Sequence, residues 1–222
     1  MTRRSRRLLT TATAGVTAAL LLAGCGGGDG DKSDSNGKIA GADTGASTSA
    51  SPSASASAAE DAGRPKFELP AGDTLTFTPE QDSDPVKDAV LKDNAEFVRA
   101  LDAAIGAQNP RLPALEYYTE GEGAVAAQQW VKSFVDDGLT VTGTVRYYNR
   151  KVTVESKSTA SLTYCGDESK GYNKVIKTGV VKKTKTTSNS YVAYGVQVEK
   201  NAKGVWELVK IASTRGADTC QP

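Results

Sequence analysis

Two spacings of apolar residues divide the chain. Between Asp84 and Gly138 apolar side chains recur every three or four positions. Val90, Phe97, Val98, Leu101 and Ile105 share one helical face; Asp84-Pro85 supplies the start signal and Gly106 the stop. Asn109-Pro110 repeats the start for a shorter piece carrying Leu112, Leu115 and Tyr118. Thr119 and Glu122 have the spacing of a capping box. They precede a third stripe of Val125, Gln129, Trp130, Val131 and Phe134, which Gly138 ends. From Leu139 the spacing falls to two. Leu139, Val141, Val145 and Tyr147 are expected on one face of a strand, and Thr140, Thr142, Thr144 and Arg146 on the other. Asn149-Arg150 reads as a turn between two strands. Further strands are expected in TASLTYC, NKVIKTGVVKKTKT, SYVAYGVQVEK and VWELVKIAST, with NAKG as a hairpin turn. Helices followed by an antiparallel meander predict an α+β fold, with N-terminal helices covering one face of a curved sheet.

Before these elements the chain changes character. Arg3, Arg4, Arg6 and Arg7 precede a modest apolar run, Leu8 to Leu22, as in a secretory signal. The run is shorter and more polar than a spanning helix of about 20 apolar residues. It ends Leu22-Ala23-Gly24-Cys25, which resembles a bacterial lipobox. Residues 1–24 are therefore expected to be removed as a signal peptide, with Cys25 as the lipidation site. Residues 25–64 are rich in Gly, Ser, Ala and Thr, and Ile39 is the one aliphatic larger than Ala between Gly26 and Arg64. Such a stretch buries too little apolar surface to offset its ordering entropy. It is expected to be a flexible tether with a reach of roughly 35 Å. Residues 65–222 then form a single domain. The expected location is the extracytoplasmic face of the cell membrane, held by the lipid anchor.

Charge sharpens the picture of the domain. Residues 65–138 hold 6 basic and 14 acidic residues, a net −8, whereas residues 139–222 hold 14 and 6, a net +8. Lys182, Lys183 and Lys185 concentrate the positive half. They read either as a solvated, aggregation-resistant edge or as a surface for an anionic wall polymer or acidic envelope partner. Strand alternation would put Lys183 and Lys185 on one face and Lys182 on the other. Nucleic acid is not an expected partner.

Candidate chemistry is sparse. The chain has no histidine, which removes the commonest general base and metal ligand. No metal, cofactor or catalytic residue is predicted. With Cys25 lipidated, two cysteines remain inside the domain, Cys165 and Cys220. In an oxidising compartment they form a disulfide, worth about 4 kcal/mol for a loop of this length. Asp167, two residues beyond Cys165, reads as a turn carboxylate or as a ligand contact at the mouth of a pocket. Tyr117 and Trp130 are candidate binding aromatics, although aromatics at helical spacing are ordinarily core.

The stretch ASLTYCGDES, with GVWELVKI and a late cysteine downstream, is similar to small actinobacterial lipoproteins. Those carry a nuclear-transport-factor-2-like (cystatin-like) cone and show an Ala-x-Leu/Val-x-x-Cys-x-Asp-x-Ser pattern. Ala160, Leu162, Cys165, Asp167 and Ser169 match it. The resemblance implies three helices against a bent meander, and a pocket between them. In catalytic cones a His, Asp or Tyr placed there does proton chemistry. The expected function is a non-catalytic binding or scaffold module of the envelope. The alternative is a small-molecule carrier, or an isomerase- or dehydratase-like enzyme using Asp or Tyr. A homodimer is compatible with an exposed concave sheet.

Overall fold

The structure, a computed structural model, describes residues 63–222; the signal segment, Cys25 and the tether up to residue 62 lie outside the described residues. A strand, not a helix, comes first. Asp73–Phe77 (β1) buries Leu75 and Phe77 and exposes Thr74 and Thr76. Its partner is far along the chain: it pairs in parallel with Gly143–Tyr147. Five alternating residues carry little signal until that partner is in place.

Helix α1, Pro85–Gly106, starts and stops as its sequence requires. Asp84 accepts hydrogen bonds from the amides of Val86 (2.8 Å) and Lys87 (3.2 Å), which satisfies two of the unpaired N–H groups of the first turn. Helix α2, Pro113–Tyr117, begins later than expected. Asn109 instead closes a turn, its side chain accepting from the Arg111 amide at 3.0 Å. The capping box does not form. Glu120 occupies the N-cap position of helix α3, Gly121–Asp137, without a side-chain capping bond, and the Thr119 hydroxyl turns back to donate to the Leu115 carbonyl at 2.8 Å.

The buried edge of α3 is also rotated from the expected stripe. Gly123, Ala127 and Val131 face inward, while Val125 is 53% and Trp130 50% exposed. The cause is close approach to the sheet. A Cβ on Gly123 would lie 2.3 Å from the Leu208 carbonyl oxygen, so the edge of small residues meets the strand.

The six strands include β2 (Leu139–Val154), β3 (Thr159–Val175), β4 (Val181–Lys182), β5 (Tyr191–Lys200) and β6 (Trp206–Arg215). Their order is β1-β2-β3-β5-β6, with β4 beside β3, and every pairing except β1 with β2 is antiparallel. Asn149-Arg150 is not a turn. β2 runs through it, with register shifts at Thr144/Arg146 and Tyr148/Lys151 and a left-handed Asn149 (φ 53°). Extra residues of this kind bend a strand and increase its twist. Arg150 is buried, and its guanidinium donates to the carbonyls of Pro79 (2.9 Å) and Leu91 (2.5 Å) and to Asn94 (3.2 Å). Of the strand expected in NKVIKTGVVKKTKT, Asn173–Val175 end β3 and Val181–Lys182 form β4. Gly179 (φ 71°) turns the chain between them. Residues 183–190 then run as a strap to β5.

The result is α+β, with helices on the concave face of a bent sheet: the cone expected from the sequence. Trp206, Tyr118, Leu91, Ile105, Leu115, Leu162 and Leu208 are its largest fully buried apolar side chains among the described residues. Asp93 of α1 is fully buried and accepts from the Trp206 amide at 2.8 Å and from the Arg64 guanidinium, tying α1 to β6 and to the last residue of the tether. Burial pushes the Asp93 carboxyl up, against the pull of Arg64 and that amide. Cys165 of β3 and Cys220 are joined in a disulfide with a Cα–Cα separation of 5.6 Å.

Candidate functional site

The helices do not fill the concave face. Between α1, α3 and the sheet is a hollow of about 790 Å³, within the range of about 300–1,000 Å³ usual for small-molecule sites. α1 contributes Phe97, Val98, Leu101, Asp102 and Ile105; α3 contributes Ala126, Ala127, Trp130 and Phe134. The expected inward residues of β2, Val141, Val145 and Tyr147, are among those that line it from the sheet side. Tyr147, Tyr194 and Asp102 lie deep in the body yet keep accessible surface, because they face this hollow.

Three tyrosines make the aromatic wall. Tyr164 and Tyr194 stack at 4.9 Å, and Tyr147 meets Tyr164 edge-on at 5.9 Å. Phe77 supports Tyr147 from behind at 5.2 Å. Burial pushes the Tyr164 hydroxyl up to about 12. Burial, with a neighbouring tyrosine or Glu168, pushes Tyr147 and Tyr194 well above their ordinary value. All three are therefore neutral hydrogen-bonding groups at physiological pH.

A carboxyl pair also lines the hollow. Asp102 of α1 meets Asp73, at the start of β1, in a side-chain hydrogen bond. Such a bond requires one of the two carboxyls to hold a proton. Burial, then the charge of Asp73, holds Asp102 well above the carboxylate range, and burial raises Asp73 as well. Asp73 Oδ2 is buried and has no side-chain or backbone donor among the described residues. Nearby, Glu168 accepts from the Tyr194 hydroxyl at 3.1 Å and from Arg215 at 2.7 Å, and Arg215 also donates to the Asn189 carbonyl at 2.9 Å. The site thus offers neutral donors, one proton held between two carboxyls, and a compensated ion pair, all against an apolar wall.

The residues singled out from sequence are dispersed. Asp167 is not at the mouth. Nor is it in a turn: it lies within β3, pairs with Arg146 at 3.2 Å and accepts from the Ser169 amide at 3.0 Å. Partial burial works to raise it, but those hydrogen bonds and the Arg146 charge hold it below its ordinary value. Its neighbour Glu168 lines the hollow instead. Tyr117 is edge-on to Tyr118 at 5.0 Å, with the Lys203 ammonium above its ring, and does not line the hollow. Trp130 lines the hollow with half its surface exposed, packed on Phe134 at 5.5 Å, rather than serving as core. Lys182 and Lys185 both line it, and Lys183 does not. The expected alternation fails because β4 ends at Lys182. Cys25 lies outside the described residues.

Asp102 was legible as an anomaly: an acid between Leu101 and Ile105 on an inward helical face. No grouping of three His, Cys, Asp or Glu side chains among the described residues suits a metal ion. No family model and no curated protein matches the chain. Solved structures with similar architecture include a ketosteroid isomerase-like protein from Erwinia carotovora atroseptica SCRI1043. It is 15% identical, with a TM-score of 0.39, over 60% of this chain and 98% of that one. A candidate ketosteroid isomerase from Shewanella frigidimarina NCIMB 400 gives 15%, 0.34, 59% and 98%. The intermembrane space region of chloroplast protein ARC6 gives 12%, 0.35, 62% and 99%. These likenesses concern architecture, and the reading of the hollow rests on its own side chains.

Proposed function

We propose that this domain binds a small, largely apolar molecule in its cone, and that a lipid on Cys25 holds it at the extracytoplasmic face of the membrane. The observation that carries the binding reading is the hollow itself. Its wall combines aromatic and aliphatic side chains from α1, α3 and the sheet with polar ones, the acids Asp73, Asp102 and Glu168 among them. A packed interior leaves few voids larger than a water molecule, so a space of this size is a feature rather than a packing defect. The cystine supports the location, since disulfides persist in oxidising compartments.

The test is native mass spectrometry of protein purified from the membranes of its producing cells. A bound adduct released on denaturation is expected, and Ala126→Phe, which fills the hollow, should remove it. Cys25→Ser should shift the protein to the soluble fraction. A wild-type protein with no adduct, unaffected by filling, would count against binding. The isomerase- or dehydratase-like alternative would use the Asp73–Asp102 pair, one carboxyl giving a proton and the other taking one. Turnover of a ketone by wild type but not by Asp102→Asn would favour it.

A further inference from the structure

The two ends of the hollow differ in charge, and the difference fixes which way a ligand lies. Inside, Asp73, Asp102 and Glu168 face the space, so an anion pushed deep would meet acids and neutral phenols. At the strand ends and strap the sign reverses. Lys182, on β4, and Lys185, on the strap, are exposed, line the same hollow and have no acidic partner among the described residues. Arg215, the other cation on the wall, is already committed to Glu168 at 2.7 Å. Apolar surface for the body of a ligand is supplied by Trp130 and Phe134 on α3.

Resting on the binding reading above, we propose that the occupant is a monoanionic amphiphile, an aromatic or aliphatic carboxylate. Its apolar body lies against Trp130 and Phe134, and its charged head is held between Lys182 and Lys185. Inside, Glu168 is already paired with Arg215, so the opposition to head-first entry of an anion comes from the Asp73–Asp102 pair. Two exposed ammonium groups supply modest attraction that salt screens.

Isothermal titration of the full chain with 2-naphthoate and its isostere 2-naphthamide tests this. The wild type should bind the carboxylate several-fold to about tenfold more tightly, the scale expected of two exposed charges. Lys182→Gln with Lys185→Gln should abolish that preference, as should 0.5 M salt. Lys183→Gln, a neighbouring lysine that does not line the hollow, should leave it intact. All three lysines are exposed, so none of these changes threatens folding. Equal or weaker binding of the carboxylate, or a preference that survives the double substitution, overturns the inference while leaving the hollow as a binding site. Failure of both probes to bind wild type overturns the binding reading and the inference together.

Discussion

Asp102 carries a cost that can be measured. Its carboxyl is held above the ordinary 3.8 mainly by burial, so the folded chain binds this proton more tightly than the unfolded chain does. Stability associated with Asp102 is therefore greatest below pH 3.8 and declines as pH rises through the raised value, by about 1.4 kcal/mol for each pH unit of that window. Asp102→Asn keeps a donor for Asp73 and removes the titration. It should be more stable than wild type at pH 7 and show a flatter profile, checked by urea denaturation between pH 4 and 8. A steeper profile would place the proton elsewhere. The chain announced this residue only as a breach in an apolar stripe. Asp73 gave no comparable signal, because its significance depends on a parallel pairing that brings the start of β1 to Gly143. Lys182 and Lys185 were legible as charges, but their shared orientation was not, since it follows from where β4 stops.

At the level of elements, local rules succeeded where the chain alone decides the outcome. The Asp84 cap and the Gly138 turn need no distant partner, whereas Gly106, the last helical residue, is pressed against Pro70, where a Cβ would lie 2.7 Å from the ring. The rotation of α3 does need one: Gly123 meets the Leu208 backbone only once β6 is in place. Likewise Asn149-Arg150 has turn composition, yet carbonyls of Pro79 and Leu91 await the Arg150 guanidinium, and the strand continues with a bulge. The two tryptophans should separate packing from binding. Trp206→Ala, which empties a fully buried site in β6, should cost about 3–5 kcal/mol. Trp130→Ala should cost within about 1 kcal/mol of stability and still weaken binding of an aromatic probe in the hollow. Urea midpoints and probe titration together check both; a large stability loss at Trp130 would make it core after all.

For the whole domain, a covalent link adds to the hydrogen bonds of the open sheet. The disulfide ties the end of the chain to β3, across a sequence separation of 55. Replacing both Cys165 and Cys220 by Ala should cost about 4 kcal/mol if chain entropy dominates. Comparing urea midpoints of the variant and the oxidised protein checks it, and a difference under about 1 kcal/mol would mean that tertiary packing alone holds the tail. The charge division read from composition, acidic helices against a basic sheet, survives as a layered body, with the hollow lying between the two layers. That hollow has one last implication. Walls left uncovered forgo contacts that an occupant restores, and whatever binds the folded chain alone raises its melting point by mass action, about 2.7 kcal/mol at a hundredfold excess over Kd. Heat resistance is thus a reporter of binding, and a library of unrelated metabolites can be sorted by it with no prior guess at their chemistry.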